Sequence, residues 1–205
     1  FTPLAEINLC GHATLASARI IFDISNTEEI CFINVGGIRL DIEKDNDEIR
    51  MQFPVYGLEE ISVPKPMLDA LGIDSIKASA YSGNNRIILI EIEGTDMLEN
   101  LQPDFSALIK SYDGINGVLV TAQALYGLHD FHYRYFWPWA GTNEDPVTGG
   151  VQTFLTKYWA EKLDKDKLIA FQSSARTGIM STQLISDKVV ISGKAVVVME
   201  GMFRL

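Results

Sequence analysis

The sequence predicts an α+β fold made of two similar halves. Two observations support this: a local pattern occurs twice along the chain, and many short strand candidates lie between turns. Each copy of the pattern has the order strand, small-residue turn and apolar helical run. We therefore predict a duplicated fold in which two helix starts face a shared cleft.

The repeat is visible when Phe1–Cys10 is aligned with Phe136–Asp145. Phe, Pro, Ala and Asn recur at the same offsets, which is four matches in ten positions. Small-residue turns follow in both copies, Gly11 to Thr14 in the first and Thr148 to Gly150 in the second. The shared order of elements, together with these four matches, supports the duplication.

The other elements are predicted from hydrophobic periodicity and turn residues. The predicted helices cover about Ala13–Ile24, Pro64–Leu71, Pro103–Tyr112 and Val151–Leu163. The predicted strands are Phe1–Leu9, Ile30–Val35, Ile38–Glu43, Ile49–Phe53, Arg86–Ile92, Gly117–Ala122, Asp130–Phe136, Ile169–Gln172, Met180–Ile185, Lys188–Ser192 and Ala195–Met202. We place the first half-domain at residues 1–76, incomplete at its N-terminus, and the second at residues 77–195. The last strand, about residues 196–205, is expected to return to the first half.

Composition and charge narrow the class of partner. The 205 residues are 47% apolar and carry a formal charge of -10, which argues against nucleic acid or an anionic membrane as the main partner. The alternative meaning of this acidity is solubility. No apolar run approaches the roughly 20 residues that span a bilayer, and we expect no signal peptide ahead of the fold. Cys10 and Cys31 are too few for a disulfide scaffold or a zinc site, so we expect a cytoplasmic protein.

The loop Ala140–Gly150 contains a carboxylate pair, a proline and two adjacent glycines ahead of a helix. Backbone N–H groups at a helix start can hold an anion, and glycine lets a ligand approach the main chain. The structural alternative is that Asp145 caps the helix and Pro146 occupies its first position. The two roles of Asp145 are compatible.

Two motifs resemble the signature of the PhzF phenazine-biosynthesis-like proteins. They are Phe1-Thr-Pro-x-x-Glu-x-x-x-Cys-Gly-His-Ala-Thr-Leu-Ala16 and Arg134-x-Phe-x-Pro-x-x-Gly-x-x-Glu-Asp-Pro-Val-Thr-Gly149. The resemblance implies the diaminopimelate-epimerase-like fold, in which two half-barrels each enclose a central helix and the site lies between them. It also implies a cofactor-independent isomerase that moves a proton on a small carboxylic acid, usually as a homodimer.

The resemblance implies that Glu6 is the catalytic glutamate and that Asp145 lies across the pocket. Burial and a second carboxylate raise the pKa of one such group, so that one acts as acid and the other as base. The alternatives are an exposed loop glutamate and a helix cap. The predicted substrate-binding residues, whose backbone would hold the substrate carboxylate, are Gly11, His12, Ala13, Thr14, Thr148, Gly149 and Gly150.

The chain departs from the family pattern at Gly150, where the family usually has serine or a similar small polar residue. Cys10 stands at the place of the first thiol of related two-thiol epimerases, but its counterpart in the repeat is Asp145, so a two-thiol mechanism is absent. We interpret Cys10 as a small packed residue, with a reactive thiolate as the alternative. For His12 two roles stay open: it orients Glu6 or binds a carboxylate, or it is a turn histidine that is hydrogen-bonded to the backbone.

The leading hypothesis is therefore an isomerase of small carboxylic or amino-acid-like substrates, with no metal and no cofactor. The second is a metabolite- or partner-binding protein that kept the fold without turnover, which Gly150 favours. A third is a hydrolase with a Cys10–His12 nucleophile. We interpret His129 and His132 as surface residues, because two histidines without a third ligand make a poor metal site.

Overall fold

The computed structural model describes residues 10–34 and 36–202. Its helices are α1 (Gly11–Ile24), α2 (Lys65–Leu71), α3 (Thr95–Glu99), α4 (Phe105–Ser111) and α5 (Gln152–Leu163), with a 3-10 turn at Pro138–Ala140. Its strands are β1 (Glu29–Ile33), β2 (Arg39–Asp45), β3 (Glu48–Pro54), β4 (Glu59–Glu60), β5 (Ala78–Ser82), β6 (Ile87–Glu91), β7 (Gly117–Gln123), β8 (Phe131–Trp137), β9 (Thr142–Glu144), β10 (Lys167–Gln172), β11 (Gly178–Ile185) and β12 (Lys188–Gly193).

The described strands form one mixed sheet, which together with the helices confirms the α+β class. The strand order is β1-β2-β3-β12-β11-β10-β8-β7-β6-β5-β4, and β9 pairs with β8. Parallel pairing occurs between β6 and β7 and between β8 and β10, and the other described pairs are antiparallel. The pairing of β12 with β3, which sets Val190 opposite Gln52, joins the C-terminal strands to the N-terminal ones.

The two long helices contribute to the same hydrophobic core. In α1, the spacing of Ala18 and Phe22 places both side chains on the buried face, as the periodicity predicts. In α5, Phe154, Leu155 and Trp159 are buried together with them, against apolar side chains of the sheet. The longest described helix has 14 residues, and none of the described helices is both long and apolar enough to cross a membrane.

A second core lies on the opposite face of β5–β8, where α2, α3 and α4 cover the sheet. The strand β6 shows this division, because Ile87 and Leu89 belong to the first core and Ile88 and Ile90 to the second. Alternate residues of a strand point to opposite faces, so a strand that is apolar throughout must be covered twice. The predicted double coverage of this strand is confirmed.

The predicted strand Ala195–Met202 is wrong. Residues 194–202 form neither helix nor strand, and Val196 and Val198 are exposed. A strand needs a neighbour, and this segment leaves β12 where both sides of β12 are already paired, with β3 and β11. Residues 203–205 and the predicted strand Phe1–Leu9 lie outside the described residues. The boundary near residue 77 falls between β4 and β5, which are neighbours in the sheet, and the division into half-domains stays a prediction.

Candidate active site

The two turns that the repeat aligns lie against each other. A β-carbon built on Gly11 would be 3.3 Å from Cα of Gly149, and one built on Gly149 would be 3.5 Å from Cα of Gly11. Backbones approach this closely only where side chains are absent. The start of α1 therefore meets the loop that leads into α5, which brings the end of the first motif, from Cys10 onward, next to the second motif.

Asp145 lies half-buried at this place, directly after β9. Its N–H donates to the Tyr135 carbonyl oxygen at 3.1 Å, and the Thr148 hydroxyl donates to its carboxylate at 2.5 Å. Burial raises the pKa of the Asp145 carboxyl, while the Thr148 hydrogen bond and the charge of His12 act in the opposite direction. The carboxyl is thus more easily protonated than an ordinary aspartate.

The interpretation of Asp145 as a helix cap is wrong. The helix α5 begins at Gln152 with Val151 at the N-cap, so a turn containing Thr148 and Gly150 separates Asp145 from the helix. The Gly150 carbonyl oxygen accepts a hydrogen bond from the Thr153 hydroxyl at 2.8 Å. Asp145 therefore has no capping role that would account for its place in the motif.

Gln172, at the end of β10, is hydrogen-bonded to the backbone of the loop that contains Asp145. Its side-chain oxygen accepts from the Thr148 N–H at 2.6 Å, and its amide nitrogen donates to the Asp145 carbonyl oxygen at 2.6 Å. The side chain is fully buried, so neither bond competes with bulk water. Ser174 adds a further bond, from its hydroxyl to the Pro146 carbonyl oxygen at 2.6 Å. The loop is fixed by groups that the sequence analysis did not assign to the site.

Two of the N–H groups predicted to hold an anion are engaged within the protein. The Thr148 N–H bonds Gln172, and the Thr14 N–H donates to the Cys10 carbonyl oxygen at 3.0 Å in the first turn of α1. Substrate binding stays a prediction for the other proposed backbone donors, which are those of Gly11, His12, Ala13, Gly149 and Gly150.

Glu144, the other acid of the Glu-Asp-Pro motif, is a structural residue. Arg134 donates to both of its carboxylate oxygens at 2.8 Å, and the same guanidinium donates to the Leu101 carbonyl oxygen at 2.8 Å. The two side chains are only 10% and 18% exposed. This two-bond ion pair fixes β9 against β8, which positions the adjacent Asp145.

Cys10 and His12 form a pair at the start of α1, with 3.5 Å between the thiol sulfur and Nε2. The hydrogen bond to His12 lowers the pKa of the Cys10 thiol, and the same contact raises the pKa of His12. The charge of Asp145 and a hydrogen bond to the Val147 backbone raise the pKa of His12 further. His12 therefore connects both turns: it bonds backbone and also faces a carboxylate.

The structure places other predicted residues as follows. Glu6 lies outside the described residues. His129 and His132 are half-buried, not surface residues: the His129 ring stacks on Phe171 at 4.7 Å, and His132 Nδ1 lies 3.1 Å from a Glu99 carboxylate oxygen. Among the described residues, no three His, Cys, Asp or Glu side chains are grouped as a metal ion would need.

These features define an α+β protein with one polar site where two helix-start turns meet. Comparison with known proteins gives its family: the profile described as phenazine biosynthesis-like protein (PhzC-PhzF) matches residues 1–201. The chain belongs to this PhzF family, as its motifs predicted.

Relatives and solved structures extend along the whole chain. It is 40% identical over 204 residues to an uncharacterized isomerase of Halalkalibacterium halodurans, covering 97% of this chain and 74% of that protein. An uncharacterized isomerase of Pseudomonas aeruginosa is 36% identical, covering 100% and 76%. The crystal structure of a PhzF family protein from Enterococcus faecalis matches with a TM-score of 0.88 at 33% identity, covering 100% of this chain and 76% of that one. The predicted enzyme class, isomerase, is confirmed by these relatives.

Proposed function

We propose that the protein is a cofactor-independent isomerase that moves a proton on a small carboxylic acid bound between its two turns. The observation that carries the proposal is the contact of Gly11 with Gly149, because it joins His12 and the half-buried Asp145 in one site. We also propose that the two helices belong to two similar half-barrels, with this contact at the base of the cleft between them.

The reaction needs one group that takes a proton from carbon and one that returns a proton to another position. A carboxyl whose pKa is raised by burial takes up a proton more readily than an ordinary one, and burial raises the pKa of Asp145. Glu6 is the predicted proton carrier, four residues before Cys10 in the sequence. His12 faces Asp145, and a protonated imidazole there would stabilise the carboxylate form and the developing negative charge of the substrate.

The substrate carboxylate is assigned to the backbone N–H groups at the two turns. The helix α1 is 14 residues long, and its N-terminal N–H groups and dipole favour an anion. Gly150 has no side chain and is only half-buried, so it leaves the main chain of the second turn accessible to a ligand, whereas Gly149 is buried against Gly11. We propose that small carboxylates or amino acids, not nucleic acid or membrane, are the partners, and that the active form is a homodimer in the cytoplasm.

Deuterium exchange tests the reaction. The protein would be incubated in D₂O with a panel of small carboxylic acids and amino acids, and mass spectrometry would follow deuterium entering carbon. We expect wild type to label at least one substrate class and Asp145→Asn to slow labelling by about 100-fold or more. The Asp113→Asn variant, which removes an exposed carboxylate away from the site, is the matched control and should label at the wild-type rate.

The Glu6→Gln variant decides the identity of the proton carrier. Loss of labelling with retained ligand-induced stabilisation assigns the role to Glu6. Labelling that survives Glu6→Gln but not Asp145→Asn assigns proton transfer to Asp145 and His12 instead. Ligands that raise the melting temperature without any labelling by wild type would overturn the isomerase and favour the metabolite-binding protein.

A further inference from the structure

We propose that Cys10 is a hydroperoxide-sensitive thiol whose oxidation to a sulfenic acid stops proton transfer at the adjacent site. The first part of this proposal stands on the geometry of Cys10 alone, and the second rests on the proposed isomerase function. Neither the deuterium-exchange reaction nor the fold uses a free thiol at this position.

The surroundings of Cys10 are those of an activated thiol. The sulfur lies 3.5 Å from His12 Nε2 and sits at the N-terminal end of α1. An imidazolium and a helix N-terminus each stabilise a thiolate. The thiol is half-exposed, so a small peroxide can reach it.

The second cysteine provides a comparison within the same chain. Cys31 is more exposed than Cys10, lies in β1 opposite Asp41, and its thiol contacts the Phe32 carbonyl oxygen at 3.6 Å. Arg39, the nearby cation, is already paired with Asp41 at 2.7 Å. Accessibility alone therefore favours modification of Cys31, whereas activation by the surroundings favours Cys10.

The oxidation step balances with a hydroperoxide as the only co-reactant. The Cys10 thiolate attacks the terminal peroxide oxygen, an S–O bond forms, and the O–O bond breaks. Sulfur loses two electrons and the peroxide is reduced to an alkoxide, or to hydroxide from hydrogen peroxide. His12, protonated beside the thiolate, supplies the proton that the leaving oxygen takes, and a sulfenic acid remains.

The sulfenic acid would disturb the site in two ways, by changing the hydrogen bonding of His12 and by adding an atom beside the packed turns. Its oxygen becomes the hydrogen-bond partner of the imidazole, which withdraws His12 from Asp145. The Gly11 and Gly149 backbones are already in contact, so there is no spare room between the two turns. The added oxygen atom on Cys10 would therefore displace the turns. Reduction by an added thiol should restore the original contacts.

The first test compares the two thiols with limiting iodoacetamide at pH 7, measured by mass spectrometry of peptides. An ordinary thiol is only a few per cent thiolate at this pH. Because the thiolate is the nucleophile, we expect Cys10, which lies beside His12, to react at least about threefold faster than Cys31. In the His12→Asn variant the advantage should vanish. Equal or faster reaction of Cys31 in wild type, or an unchanged rate of Cys10 in His12→Asn, overturns the activated pair.

The second test treats wild type, Cys10→Ser and Cys31→Ser with hydrogen peroxide and traps sulfenic acid with dimedone. Serine is a good N-cap residue, so Cys10→Ser should keep α1 and the deuterium-exchange activity. We expect dimedone on Cys10, loss of exchange in wild type and Cys31→Ser, resistance in Cys10→Ser, and recovery with dithiothreitol. Dimedone mainly on Cys31, or full exchange by protein oxidised at Cys10, contradicts the proposal. If no untreated protein exchanges deuterium, the isomerase proposal fails, and the trapping result still decides the sensitivity of Cys10.

Discussion

Gly11 and Gly149 pack backbone against backbone, and there is less space for an added β-carbon on Gly11 than on Gly149. A β-carbon on Gly11 would lie 3.3 Å from a backbone atom of Gly149, whereas the reverse substitution gives 3.5 Å, an ordinary van der Waals distance. The two glycines therefore differ in how much space they leave, although both belong to the same contact.

The substitution Gly11→Ala should reduce deuterium incorporation about tenfold, and Gly149→Ala should change it less than threefold. The new methyl group on Gly11 must push the second turn by a few tenths of an ångström, and small displacements of positioned groups reduce catalysis strongly. Initial labelling rates would be measured for both variants, with melting temperatures as the control for folding. Equal losses in the two variants would show that the spacing of the turns does not control the site.

The substitution Asp145→Asn should stabilise the fold at neutral pH. Because burial raises the pKa of Asp145 in the folded state, the folded protein binds this proton more tightly than the unfolded chain does. The cost of the charged carboxylate is absent below the unfolded pKa, about 3.9, and appears as the pH rises through the folded pKa. We expect Asp145→Asn to melt about 2 °C above wild type at pH 7.

The difference in melting temperature between Asp145→Asn and wild type should shrink toward pH 4, where the Asp145 carboxyl of wild type is increasingly protonated. Scanning calorimetry at both pH values measures it, and Asp113→Asn, an exposed site, should stay within about 1 °C of wild type at each. A variant that melts below wild type at pH 7 would mean that the Thr148 hydrogen bond outweighs the cost of burial.

The substitution Glu144→Gln should lower the free energy of unfolding by about 2–3 kcal/mol. It leaves the Arg134 guanidinium nearly buried without its anionic partner, and breaking such a pair from one side is costly. The control is Glu43→Gln, which removes a half-exposed partner of Arg50 at 3.1 Å and should cost less than about 0.5 kcal/mol. Urea denaturation measures both variants. A similar small cost in each would show that Arg134 and Glu144 act as an ordinary surface pair.

Periodicity was sufficient to predict α1, α5 and the doubly covered β6, because each carries its pattern within one segment. The internal repeat also predicts that the two helix starts face each other, and the contact of Gly11 with Gly149 agrees with this. The C-terminal strand was predicted wrongly because alternation at Val196 and Val198 indicates only that a strand is possible. Whether it forms depends on a neighbour, and the positions beside β12 belong to β3 and β11.

The residues that hold the site were not predictable in the same way. Gln172 lies 27 positions from Asp145 in the sequence and meets it only through the pairing of β10 with β8. Arg134 and Glu144 are brought opposite each other by the β8–β9 turn, so neither residue has a local signal of its own. The sequence offers one indication: Arg134 is the first residue of the second motif that resembles the family.

The pairing of β3 with β12 also bears on how the protein is made. The strand β3 ends at Pro54 and β12 ends at Gly193. During synthesis, most of the chain must therefore be made before β12 is available to pair with β3. Contacts between such distant segments form slowly, and unpaired strand edges are prone to aggregation until they do. The ribosome thus releases α1 with its turn long before it releases the loop that the turn contacts. The site can therefore form only late in synthesis, when the loop that contacts the α1 turn has been made.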